Sequence, residues 1–146
     1  MDHLPEQAKV VIIGGGVIGC SVAYHLSKLG WQDIVLLERK QLTSGTTWHA
    51  AGLIGQLRAT LNMTKLAMYS TELYNNLESE TGIATGYKRN GSLSLALTKE
   101  RFEELRRGAS MARNFGLETE ILSNNEIKKR YPMLFVCLLY TSDAAD

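Results

Sequence analysis

Val10-Val11-Ile12-Ile13-Gly14-Gly15-Gly16-Val17-Ile18-Gly19 opens the informative part of the chain, and Ile34-Val35-Leu36-Leu37-Glu38 completes it. Four β-branched residues ending in three glycines form a run too short for a helix, which predicts a strand buried on both faces. From Val17 the apolar residues Val17, Ile18, Val22, Leu26 and Leu29 follow helical spacing, and Gly30 supplies the stop just past the last turn. A second apolar strand, Ile34 to Leu37, then returns parallel to the first and ends at an acid. Gly14-x-Gly16-x-x-Gly19 therefore lies between a strand and a helix, where a dinucleotide fingerprint belongs. The first glycine allows the tight turn, the second lets backbone approach a pyrophosphate, and the third lets helix and strand pack closely. The free N–H groups of the helix start suit an anion. Glu38, 19 residues after Gly19, can accept hydrogen bonds from both ribose hydroxyls and would repel a 2′-phosphate. A glycine-rich turn beside an exposed acid would explain each residue singly but not their joint spacing.

Outward from this unit the chain has the composition of an ordinary globular protein. Its 146 residues are 45% hydrophobic and 21% charged, which argues against disorder, and 16 basic against 15 acidic residues leave no charge excess to draw nucleic acid or an anionic membrane. No apolar run approaches the roughly 20 residues of a membrane span. The acidic start is unlike a secretory or transit leader, so a cytoplasmic location is expected, or the mitochondrial matrix if a eukaryotic leader lies upstream. Cys20 and Cys137 are too few for a disulfide framework, and no metal site is expected.

After Glu38 a third βα repeat fails to follow. A polar loop from Arg39 to Thr47 leads into the small residues Ala50-Ala51-Gly52. A helix is predicted from about Thr64 to Thr81, burying Leu66, Tyr69, Leu73 and Leu77. Asn90-Gly91 predicts a tight hairpin between residues 86–89 and 92–97, with Leu93, Leu95 and Leu97 on its buried face. A helix from about Lys99 to Phe115 should bury Phe102, Leu105, Ala109 and Ala112, and residues 118–122 a further strand. Ser123-Asn124-Asn125-Glu126 has the capping-box pattern of a short helix ending before Pro132.

Cys137-Leu-Leu-Tyr-Thr-Ser-Asp-Ala-Ala-Asp146 resembles the in-frame translation of a transposase adapter used to build short-read DNA libraries. On that reading the natural sequence stops near Val136, and loss of Asp143 and Asp146 raises its net charge from +1 to +3.

Leu42-Thr43-Ser44-Gly45-Thr46-Thr47-Trp48-His49-Ala50-Ala51-Gly52-Leu53 carries a family likeness. It resembles the flavin domain of dimethylglycine and sarcosine dehydrogenases, members of the D-amino-acid-oxidase-like group of FAD oxidoreductases. The likeness continues through Gly55-Gln56-Leu57-Arg58, residues 77–82, Asn90-Gly91-Ser92-Leu93 and Tyr131-Pro132-Met133-Leu134, and covers residues 8–135. The fold it implies is α/β: the N-terminal part of a Rossmann-like βαβ FAD-binding domain over 1–85, the beginning of an α+β substrate domain over 86–136, and an adapter-derived tail over 137–146, the whole truncated.

By the same resemblance FAD is the cofactor and His49 is the residue that takes the flavin 8α carbon covalently; an imidazole nitrogen is a competent nucleophile for this. Gly14, Gly16, Gly19 and Glu38 would hold the adenosine and pyrophosphate, with Gly52 in the same site. Read from the residues themselves, Arg39 either contacts the adenosine half or is an exposed arginine after a strand, and Ser44, Gly45, Thr46 and Thr47 either offer hydroxyls and N–H groups to the pyrophosphate or flavin or simply form a turn. Trp48 is expected to pack, beside the flavin ring or in the core. The implied activity is oxidation of an N-methylated amino acid by hydride transfer to flavin, with a small-molecule amine as substrate and the electron acceptor left open. The fragment alone is expected to be inactive. Two rivals use the same opening motif. One is a non-catalytic regulator of the kind found in the regulatory subunit of pyruvate dehydrogenase phosphatase; the other is a nicotinamide-dependent dehydrogenase, which the missing third repeat disfavours.

Overall fold

Short apolar runs become strands here only where a helix covers them. In the computed structural model, which describes residues 5–136 and the backbone of 140–144, two compact units divide at Leu53/Ile54. The first unit holds strand β1 (Val10–Ile13), helix α1 (Val17–Lys28) and strand β2 (Ile34–Leu37). β1 and β2 pair in parallel, Val10 opposite Ile34 and Ile13 opposite Leu37, as the sequence predicts. α1 ends at Leu29, and Gly30 beyond it takes φ +81°. Burial of β1 on both faces is not observed. Val10 and Ile12 are half-buried on the α1 side, whereas Val11 is exposed and Ile13 is 87% exposed. The reason is layer count: a parallel strand is buried twice only when helices cover both faces, and α1 is the α-helix that packs on the pair among the described residues of this unit.

A 3₁₀ turn, Thr46–His49, follows β2 in place of a third repeat. The second unit then contains α2 (Leu61–Thr81), β3 (Ser92–Ala96), α3 (Lys99–Asn114), β4 (Thr119–Glu120), α4 (Asn124–Arg130) and β5 (Tyr140–Ala144). β5 lies between β3 and β4, antiparallel to both, and α3 packs on this sheet. Within the tail expected to be adapter-derived, only the β5 backbone falls among the described residues.

α2 begins earlier than expected because Thr60, not Thr64, is its cap: the Thr60 hydroxyl accepts the Met63 N–H. Its buried side also differs. Leu66 is 58% exposed while Thr64 and Thr71 are buried. Burial of Thr64 is tolerated because its hydroxyl accepts the Arg58 N–H at 3.1 Å and donates to the Arg58 carbonyl. The expected hairpin does not form. Gly91 takes φ +75° but Asn90 does not join it at positive φ, so the two-residue turn that needs both is absent, and residues 83–90 form no strand. β3 pairs with β5 instead, which turns fully buried Ala96 inward and leaves Leu97 exposed. α3 buries Ala109 and Ala112 as expected, and the Ser123/Glu126 capping box is present. Of the strand expected over 118–122 only β4 is seen.

Candidate functional site

The glycine turn is built from backbone constraints. Gly14 has φ +105°, a conformation open to glycine and strained for other residues. Its N–H still donates to the Leu37 carbonyl at 2.8 Å, so the turn leaves β1 without losing β2. A Cβ on Gly19 would run into the Gly14 carbonyl oxygen, which is the close helix–strand approach expected of the third glycine. A Cβ on Gly16 would stand 3.1 Å from the Thr47 hydroxyl oxygen.

Glu38, just past β2, is tied back to this turn. One carboxylate oxygen accepts the Gly15 N–H at 2.8 Å and the other the Lys40 N–H at 2.9 Å. These donors, Gly15 first and then Lys40, hold the carboxyl below its ordinary value of 4.5 against the opposing effect of desolvation, and the Arg39 N–H and charge add to the lowering. A carboxylate has about four acceptor positions, so these bonds leave acceptor capacity for a vicinal diol.

The polar loop is anchored at the same place. Thr43 donates its N–H to the Gly15 carbonyl at 2.8 Å, and its own carbonyl accepts the Trp48 N–H at 3.1 Å. Its φ of +65° is rare for a β-branched residue. The Thr47 hydroxyl accepts the Val17 N–H at 2.9 Å, capping a helix whose N-cap, Gly16, has no side chain to do so.

Together these segments enclose an open cleft of about 690 Å³, lined by both apolar residues of α1 and polar residues of the loop. Gly14, Gly16, Gly19, Glu38, Arg39, Ser44, Thr46 and Thr47 all line it. His49 and Gly52 do not: His49 ends the 3₁₀ turn with its side chain exposed, although Thr47 and Ala50 on either side of it do line the cleft. Gly52 occupies the left-handed region at φ +75°. Trp48, expected to pack, is 78% exposed. Sequence reasoning missed Lys40, whose backbone holds Glu38, and Thr43. The first could be anticipated from the need to satisfy an acid at a strand end; the second has no sequence signal.

The family model of the FAD-dependent oxidoreductases (DAO) matches residues 9–146. The chain belongs to that family, and FAD is its cofactor. It is 50% identical over 133 residues to the mitochondrial pyruvate dehydrogenase phosphatase regulatory subunit of Mus musculus, covering 91% of this chain and 15% of that protein. Against mitochondrial sarcosine dehydrogenase of Homo sapiens it is 46% identical over 138 residues, 94% of this chain and 15% of the relative. Against mitochondrial dimethylglycine dehydrogenase of Rattus norvegicus it is 42% identical over 129 residues, 88% and 15%. The chain thus spans about 15% of the length of these relatives. Among solved structures, L-proline dehydrogenase from P. horikoshii superposes with a TM-score of 0.87 at 26% identity over 97% of this chain and 37% of that one. Glycine oxidase from Bacillus cereus ATCC 14579 gives 0.76 at 26% identity over 95% and 40%.

The residues present suit FAD. The left-handed Gly14, the helix start that Gly16 leaves without a side chain, the Glu38 carboxylate and the loop hydroxyls match a pyrophosphate and a ribose in one cleft.

Proposed function

We propose that the whole protein is an FAD-dependent oxidoreductase that oxidises an N-methylated amino acid of the sarcosine or dimethylglycine type. The observation that carries this reading is the joint placement of Glu38, the glycine turn and the loop residues Ser44, Thr46 and Thr47 around one cleft, on a chain 46% and 42% identical to the two dehydrogenases. FAD, when bound, supplies the two-electron acceptor for a hydride from the carbon beside nitrogen; hydrolysis of the oxidised amine then releases formaldehyde. This chain's residues do the holding. Gly14 makes the turn, Gly16 brings backbone to the pyrophosphate, Gly19 lets α1 pack closely enough on β1 to aim its start there, Glu38 takes the ribose diol, and Arg39, Ser44, Thr46 and Thr47 close the loop around it. Gly52 lets the chain turn after the flavin-facing segment, and His49 bonds the flavin ring through an imidazole nitrogen, preventing cofactor loss.

Residues 1–85 are read as the opening of the FAD-binding domain and 86–136 as the start of the substrate domain, with the 146-residue chain alone inactive. Among the described residues no helix is long and apolar enough to cross a membrane. The relatives named mitochondrial favour a matrix location if the source is eukaryotic.

The 50% identity to a regulatory subunit favours a second reading, a non-catalytic regulator on this scaffold. Retention of Trp48-His49 supports the enzyme, since a regulator has no need of a flavin attachment point. Acid precipitation of the whole protein separates them. A yellow pellet, lost in His49→Ala with flavin then extractable, together with formaldehyde released from sarcosine or dimethylglycine, is the expected result. A colourless pellet removes His49 from this role, and absence of amine turnover in FAD-loaded protein removes the enzymatic reading.

A further inference from the structure

We infer that Thr47 is the positioning residue that sets the reach of His49 toward the flavin, an inference that rests on the covalent link proposed above. Two tethers fix the turn that carries His49. The Thr47 hydroxyl accepts the Val17 N–H at 2.9 Å, and Thr43, itself bonded to Gly15, accepts the Trp48 N–H. Gly16 serves the first tether directly, because the space its missing Cβ leaves is the space the Thr47 hydroxyl enters, 3.1 Å away. Thr43 serves the second at the expense of a left-handed backbone, φ +65°, in a β-branched residue. The Thr47 anchor is two residues before His49, and Trp48 between them is 78% exposed. The backbone position of His49 is therefore set by hydrogen bonds to the glycine turn, the same element that places the pyrophosphate. One element thus fixes both the cofactor and the residue that bonds to it.

Attachment joins an imidazole nitrogen to the flavin 8α carbon. It releases one proton from the methyl group and one from the imidazole, and the two electrons that leave with them pass to dioxygen, giving hydrogen peroxide. Such a step depends steeply on placement, a displacement of about 1 Å lowering rates on the order of 100-fold.

The test is reconstitution of the whole apoprotein with saturating FAD, following acid-stable flavin per bound flavin over time in wild type, Thr47→Val, Thr47→Ala and Thr47→Ser. The expected result is attachment slowed tenfold or more in the valine and alanine variants and near the wild-type rate in serine, which keeps the hydroxyl. The alanine variant carries the test if valine does not fold. Attachment per bound flavin at the wild-type rate in both hydroxyl-free variants overturns the inference. So does loss of all flavin binding in both, which would make the hydroxyl a requirement for holding FAD at all and leave it no separate part in placing His49. Slowing in serine equal to that in valine also overturns it, by assigning the effect to the methyl group. Wild type without acid-stable flavin brings down the His49 link itself, and this inference with it.

Discussion

Gly19 and Gly108 are both glycines inside α-helices, one in each compact unit, and their surroundings are opposite. A Cβ on Gly19 of α1 would strike the Gly14 carbonyl, whereas a Cβ on Gly108 of α3 would meet nothing within 4 Å. The first unit is defined by how closely backbone approaches backbone. The second is defined by side chains, small alanines of α3 against a sheet and hydroxyl caps at Thr60, Thr98 and Ser123. The same contrast holds for two carboxyls kept below their ordinary values. Glu38 owes this chiefly to an N–H 23 residues away, Glu126 to the hydroxyl and then the N–H of Ser123, three residues away. A site assembled from distant backbone groups can surround a ligand; a site assembled within one turn of helix terminates that helix.

The largest expected effect is on Gly19→Ala. Backbone must move to admit the methyl, so destabilisation should exceed about 3 kcal/mol and FAD retention should be lost. Thermal unfolding together with flavin-to-protein ratio measures both, and unchanged values would end the distinction between the two units. Next comes Glu38→Gln. One backbone donor, Gly15 or Lys40, would then face an amide N–H₂, and FAD should bind on the order of tenfold more weakly by fluorescence titration. The same group predicts a pH profile. A carboxyl lowered in the folded state contributes fully above its ordinary 4.5 and loses that contribution as pH falls through the lowered value. FAD retention should therefore be flat from neutrality to about 4.5 and fall only below it, and the Gln variant should lack the Glu38 part of that fall. Smallest is Gly108→Ala, which should stabilise by about 0.5–1 kcal/mol, because alanine costs less backbone entropy in a helix with open space around it. A denaturation midpoint that drops would show that Gly108 has a neighbour.

Elements written in local sequence were legible in advance. The individual strands, glycine turn and helix of the first 38 residues, the Gly30 stop and the Ser123/Glu126 capping box are each signalled by neighbouring residues in the chain. The elements that failed depend on partners far along the chain. Leu93, Leu95 and Leu97 alternate as a buried face should, yet pairing of β3 with β5 sets the register and buries Ala96. α2 offers Leu66 and Tyr69, yet buries Thr64 and Thr71 because a satisfied hydroxyl can go inside: that of Thr64 bonds the Arg58 backbone and that of Thr71 donates to the Ala67 carbonyl.

In the site itself, sequence marked the glycines, the acid at the end of β2 and the loop that follows, because the spacing of small and charged residues is a one-dimensional signal. Tertiary structure alone decided that Glu38 holds Gly15, that Thr43 adopts a left-handed backbone and that the Thr47 hydroxyl caps α1. Those bonds join groups 23 to 30 residues apart, and only folding brings such groups within hydrogen-bonding distance.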